Sequence, residues 1–359
     1  MPAIVTTLTS NLTAPVNFVL MKGLLRAASK KLPYFNGTKA GTLEKGQGSM
    51  SVKWRRIENL ATATTTLGEV TGTAAAFMGR NSVQPVITDI TVAIAKKGNF
   101  ILVTEEVDFF NVNSKAADLT DTLGANAGES LNVLMRDEFS QATQIRRSAA
   151  QTTDSSVGAS ISLNDIRAAV NTLNRQSASK FTAMGTGSQN YNSQPIREAY
   201  KGIAHVDVEE DIRLLTGFIG VEQYAGYTET DTFEFGSLGG VRWSSSEIAP
   251  VASDASTLFS TAGLRGTSLL LHDVYSTFVY GKDAIGTVGL GNMHATNNTE
   301  MYGSKKPPAV EIIYHRPGSS GIFDPFNEMG SVGWKAWFAG KILNNAWLVN
   351  IKTGASSLS

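Results

Sequence analysis

Apolar side chains recur along this chain with several different spacings, and each spacing predicts a different element. The first 45 residues show no clear period. Val16, Phe18, Val19, Leu20, Leu24 and Leu25 suit one short amphipathic helix, and the rest reads as an extended arm that must dock on another surface. Residues 49–57, SMSVKWRRI, alternate: Val52, Trp54 and Arg56 point one way and Lys53, Arg55 and Ile57 the other, as in a strand. Residues 61–84 are mostly Thr, Ala, Gly and Ser, with isolated large side chains at Leu67, Val70, Phe77 and Met78. A long connection of this kind inside a compact domain points to a functional loop. Residues 86–94 alternate again, with Ile90, Val92 and Ile94 on one face and Asp89, Thr91 and Ala93 on the other. The two strands around the long loop predict a projecting hairpin. A turn at Lys97-Gly98-Asn99 and a strand Phe100–Val103 are expected next.

Residues 114–147 carry the strongest helical pattern. Leu119, Leu123, Ala127, Leu131, Leu134 and Ile145 fall largely on one stripe, behind a candidate N-cap at Ser114. A helix of that length spans roughly 50 Å, which suits a spine rather than a small core helix. Residues 148–160 read as a linker. A second helix opens at Ser162 and runs to about Arg175, with Leu163, Ile166, Val170 and Leu173 on one face. A strand Lys201–Val206 and a helix capped by Asp207 follow. Residues 216–305 read as short strands and loops. Ala309–Tyr314, Ser331–Phe338 and Asn345–Ile351 close the chain as strands, and the middle one alternates Val332, Trp334, Ala336 and Phe338.

Composition narrows the function. The 359 residues are 42% hydrophobic and only 17% charged, so a sizeable core and extensive protein contact surface are expected. Lys plus Arg and Asp plus Glu number 31 each, without the basic excess of a dedicated nucleic-acid binder. The absence of cysteine excludes disulfides, thiolate zinc sites and a cysteine nucleophile. The N-terminal stretch does not read as a secretory signal, and no apolar run of about 18 residues is present to cross a membrane.

Catalytic motifs are missing. GTLEKGQG at 41–48 has glycines but neither the lysine nor the hydroxyl of a phosphate-binding loop. Gly286-Thr-Val-Gly289-Leu-Gly291 has the wrong order for a dinucleotide fingerprint and reads as a loop needing positive φ. His205, His272, His294 and His315 are scattered, and His205 reads as a hydrogen-bonded structural residue. No GxSxG elbow occurs. The remaining cluster is Lys53, Trp54, Arg55 and Arg56. Three readings stay open for it: a solvated strand face, ion pairs with a neighbouring protein chain, or a grip on nucleic acid.

These residues also carry a resemblance. SVKWRRIENLATATTTLGEV followed by ITDITVAIAKKGNFILVTEEVDFF resembles the major capsid proteins of tailed bacteriophages, in particular the family named after the coat protein of the enterobacterial N-four phage. Members carry a similar KWRR-x-E-x-L segment, a Thr-rich stretch with an L-x-E turn, a strand similar to TDIT, and then a long helix. AHVDVEEDIRLL, FIGVEQYAG and LGGVRW look like that family's middle region. The matches run from Ser51 to Trp243, and residues 245–305 match nothing in the family.

The resemblance implies an α+β, HK97-type capsid fold with an N-terminal arm (1–45), an extended β-hairpin loop (46–107), a peripheral domain with a spine helix (108–150), an axial domain (151–308) and closing strands returning to the peripheral domain (309–359). It implies a major capsid protein, not an enzyme and without cofactor or metal, that assembles into hexamers and pentamers of an icosahedral head around double-stranded DNA. The implied partners are further copies of the chain, a portal, scaffolding or decoration proteins, and packaged DNA held non-specifically. The implied location is the virion, after assembly in the bacterial cytoplasm. On this reading Lys53, Trp54, Arg55, Arg56, Glu58 and Glu69 are expected to contact a neighbouring subunit, the cations facing its carboxylates. The alternative is a virion decoration or carbohydrate-binding protein, with a groove in the Gly- and Trp-containing C-terminal third.

Overall fold

The computed structural model describes residues 33–43, 50–58, 60–64, 83–105, 116–181, 198–223, 233–257, 263–266, 271–290, 310–315, 326 and 328–357. The helix expected near Val16–Leu25, the Ser114 cap, the loop from 65 to 82 with Glu69, and His294 lie outside these residues.

A five-stranded sheet is built around one long strand. β1 is Lys39–Leu43, β4 Ala95–Thr104, β12 Ile285–Leu290, β13 Val310–His315 and β14 Met329–Ile342. Ser331–Ala336 of β14 pairs with β13 on one edge and β4 on the other. β12 takes over from β4 between Phe338 and Ile342, and β1 adds to β12 in parallel. The spine helix α1, Ala116–Ser140, lies on one face. Its residues Leu123, Ala127, Leu131, Met135 and Phe139 recur every four positions and are buried against Val332, Trp334, Phe338 and Ile342. Burying a side chain of that size contributes about 1.5–3 kcal/mol. The fit is close at Gly340, where a Cβ would fall 2.6 Å from Met135 Sδ. Trp334 Nε1 donates to Asn126 Oδ1 at 3.0 Å, so the buried indole keeps a polar partner.

An eight-stranded sheet forms the second body, in the order β5-β15-β11-β6-β9-β8-β7 with β10 beside β11. Its strands are β5 Gln144–Arg147, β6 Tyr200–His205, β7 Ile219–Gly220, β8 Glu234–Leu238, β9 Val241–Ser246, β10 Val251–Ser256, β11 His272–Tyr280 and β15 Leu348–Thr353. Helix α2, Leu163–Arg175, buries Ile166, Ala169 and Leu173 in a core shared with Tyr275, Val279, Val349 and Ile351. The helix opens at Ser162 as expected, and Ser162 caps it, its Oγ accepting from Asp165 N–H. Helix α3, Val206–Arg213, follows β6 directly. The bodies are joined by an aromatic cluster in which Phe139 of α1 lies 5.5 Å from Phe278 and 5.2 Å from both Tyr34 and Tyr280.

Several expectations need correction. β4 is one ten-residue strand with no turn at Lys97-Gly98-Asn99, because β14 offers ten consecutive partners. The spine helix ends at Ser140, giving 25 residues, and Ile145 leaves the apolar stripe because Gln144–Arg147 pairs in parallel with β15. Residues 148–160 are anchored rather than a free linker: Asp154 takes Arg147 at 2.6 Å and Lys352 at 2.5 Å. The cap of α3 is His205, whose Nδ1 accepts from Asp207 N–H at 3.1 Å. Gly286 and Gly289 sit in β12 rather than in a positive-φ loop. β12 belongs with the spine-helix sheet and β15 with the other.

The candidate interaction surface at the hairpin

β2, Ser51–Ile57, and β3, Ile87–Ala93, form a separate two-stranded sheet, paired in register from Ser51↔Ala93 to Ile57↔Ile87. The alternation read from the sequence is the alternation observed. Lys53, Arg55 and Ile57 of β2 and Ile87, Asp89 and Thr91 of β3 are exposed, while Val52, Trp54, Arg56, Ile90 and Val92 are half-buried.

The inner face is seated on the five-stranded sheet, on the side away from α1. Ile94, Val288 and Ala339 form a small core with Val52, Trp54, Val92 and Trp337. This explains the sequence of β14. It alternates through Val332, Trp334, Ala336 and Phe338, all in the core beneath α1. At Trp337-Phe338-Ala339 it becomes continuously apolar, because there the sheet is covered on both faces. Arg56 belongs to this inner face. Its Nη1 donates to the Leu343 carbonyl at 3.0 Å and its Nε to Glu58 Oε1 at 2.7 Å. Thr88 Oγ1 donates to the same Glu58 oxygen at 3.3 Å.

The outer face carries charge and apolar surface together. Lys53 Nζ lies 2.8 Å from Asp89 Oδ2 and Arg55 Nε 3.0 Å from Asp89 Oδ1. Hydrogen bonds from Arg55 and then Lys53 hold the Asp89 carboxyl down to about 2. Two cations share one carboxylate, so this cluster keeps a net positive charge. Beside it Ile57 and Ile87, a cross-strand pair, are 65% and 49% exposed, and Leu60, Val83 and Val86 continue the apolar surface.

The expected site residues therefore separate. Lys53 and Arg55 lie outward, Trp54 and Arg56 lie inward, and Glu58 joins Arg56 at the strand end. Asp89, whose exposed alternation was legible, was missed as their internal partner; its register opposite Arg55 is visible only once the strands are paired. For the nucleic-acid reading, the described residues add exposed Lys96 and Lys97 of β4 next to the hairpin base. Arg146 and Arg147, which lie together in the second body, are already matched to Asp165 and Asp154. Among the described residues no group of three or more His, Asp or Glu is placed to hold a metal ion, and no helix is long and apolar enough to cross a membrane.

No family model and no curated protein matches this sequence. Solved structures do match in fold. The capsid of Ralstonia phage GP4 aligns over 92% of this chain and 93% of its own, with TM-score 0.63 and 11% identity. The head structure of Helicobacter pylori bacteriophage KHP40 aligns over 91% of each chain, with TM-score 0.58 and 11% identity. The capsid asymmetric unit of cyanophage Pam1 aligns over 92% of each, with TM-score 0.54 and 12% identity. The chain has the HK97-type α+β fold of phage capsid subunits, with hairpin, spine helix and two sheets in one unit.

Proposed function

We propose that this chain is the major capsid protein of a tailed bacteriophage, the repeating subunit of an icosahedral shell around double-stranded DNA. The observation that carries this reading is a capsid-type fold spanning more than nine-tenths of the chain, with a hairpin whose outer face is exposed. Exposed Ile57 and Ile87 beside a net cationic cluster suit a partner that is apolar with a carboxylate rim. Neighbouring copies in hexamers and pentamers are that partner, with Lys53 and Arg55 reaching their acids. Stable permanent interfaces commonly bury more than about 2,000 Å², and a projecting hairpin extends the area one subunit can offer. The spine-helix sheet is the peripheral domain and the eight-stranded sheet the axial domain. A portal and scaffolding or decoration proteins complete the head, the contact with DNA is non-specific, and assembly takes place in the host cytoplasm before the subunit becomes part of the virion.

The test is size. The expressed protein should give capsomers or shells by gel filtration and negative-stain microscopy, and a stable monomer of 38.3 kDa under assembly conditions would refute the reading. Lys53→Glu with Arg55→Glu, the two outward cations, should block assembly while leaving a folded subunit. Because Arg55 also pairs with Asp89, a charge swap, Arg55→Asp with Asp89→Arg, separates the two roles. If the pair only braces the hairpin, the swap assembles normally; if a neighbour's carboxylates need the cation at position 55, it stays blocked.

A further inference from the structure

The hairpin joins the five-stranded sheet through a short base. Only Ile94 separates β3 from β4, and Ile94 N–H donates to the Met50 carbonyl at 2.9 Å, closing the hairpin base. A two-stranded sheet on such a base takes its direction from what its inner face packs against. Beyond the base stands Trp54, whose indole rests in a slot made by two glycines of adjacent strands. A Cβ on Gly41 of β1 would fall 2.8 Å from Trp54 Cζ2, and one on Gly286 of β12 would fall 3.0 Å from the same atom. The Leu343 side chain flanks the slot, 3.1 Å from that second Cβ position, and the Leu343 carbonyl takes the Arg56 guanidinium. Neither glycine has positive φ, so close approach and not backbone freedom is what requires them. Both glycines come from stretches whose glycines suggested nucleotide loops and then failed as such.

We propose that Trp54, seated between Gly41 and Gly286, is the positioning residue that sets the angle at which the hairpin is presented to the neighbouring subunit. This inference rests on the shell reading. Subunit geometry is then partly fixed before any contact forms, and the direction of the hairpin feeds into the curvature of the shell. The lever is real: at about 3.3 Å per residue, Trp54 lies roughly 13 Å and Glu58 roughly 26 Å beyond Met50. A Cβ at Gly41 must push the indole out by about 0.6 Å to reach ordinary contact, and the displacement doubles to about 1.2 Å at Glu58. A rigid indole cannot swing its far edge aside as a flexible side chain would.

The experiment compares wild type, Gly41→Ala, Gly286→Ala and Trp54→Ala in the full-length chain. It reads hydrogen exchange of the hairpin amides in unassembled subunits and particle diameter after assembly. The variants should speed exchange in Lys53–Ile57 about tenfold without changing α1, and should give shells of altered or mixed diameter. Trp54→Phe, which removes the Cζ2 edge, should restore slow exchange and uniform diameter to Gly41→Ala; this rescue separates the slot from general damage to β1. Wild-type exchange in the alanine variants, or uniform shells of wild-type diameter despite fast exchange, overturns the proposal. If wild type itself forms no shells, the shell reading fails, and the exchange comparison still decides whether the slot holds the hairpin.

Discussion

Two cross-strand ion pairs in this molecule differ mainly in burial. In the eight-stranded sheet Arg242 Nε lies 2.7 Å from Glu234 Oε1, with side chains only 7% and 1% exposed. In the hairpin Lys53 and Arg55 are 57% and 61% exposed and meet Asp89 at similar distances. Similar distances do not mean similar roles. The buried charges have given up water and depend on their partners, so they are committed to the fold. The exposed cluster is screened by solvent, contributes little to the subunit, and remains free to exchange partners. On the proposed shell reading, a surface that must be soluble alone and adhesive in the assembly needs the second kind.

Arg242→Ala leaves Glu234 buried without that partner and should destabilise the subunit by about 3–5 kcal/mol in denaturant unfolding. A loss under about 1 kcal/mol would mean that the buried pair matters no more than a surface pair.

An intermediate case sharpens the gradient. His205 and Asp207 are half-buried, and the imidazole caps α3. His205→Ala should cost about 1 kcal/mol through the lost cap. Desolvation holds His205 below its ordinary 6.5, against the opposing pull of Asp207 and of a hydrogen bond to the Glu247 backbone; Arg265 pushes the same way as burial. Its contribution is complete above pH 6.5 and is lost as pH falls through the lower folded value. An imidazole titration by NMR that ends above 6.5 would reverse that sign.

The smallest effect on the subunit belongs to Asp89. Asp89→Asn should leave the unfolding midpoint of the subunit near wild type and alter assembly instead, which paired unfolding and light-scattering measurements would separate. The folded Asp89 value of about 2 lies below the ordinary 3.8. The hairpin pair is therefore intact above about pH 4 and lost as pH falls through 2. Hairpin exchange that loosens near pH 5 would contradict this.

How much was legible follows the range of the forces involved. The two hairpin strands and their faces were readable because a period of two is local. The first four turns of the spine stripe and the start of α2 at Ser162 were readable for the same reason. The end of the spine was not. Nothing within residues 141–147 says that Gln144–Arg147 will meet β15, about two hundred residues away in sequence. The Lys97-Gly98-Asn99 signal was locally sound and was overruled by ten backbone pairings with β14.

The candidate site divides in the same way. By itself the sequence determined that three cations and a tryptophan share a strand, that they alternate in facing, and that their surroundings carry no catalytic motif. Tertiary structure decided which acids they meet, and why Trp54 is there at all. Gly286 lies more than two hundred residues beyond Gly41 and Trp54, and a glycine required for close approach looks no different in sequence from one required for a turn. Only packing, which acts through space without regard to sequence distance, turns two glycines of failed loop motifs into the seat of the hairpin.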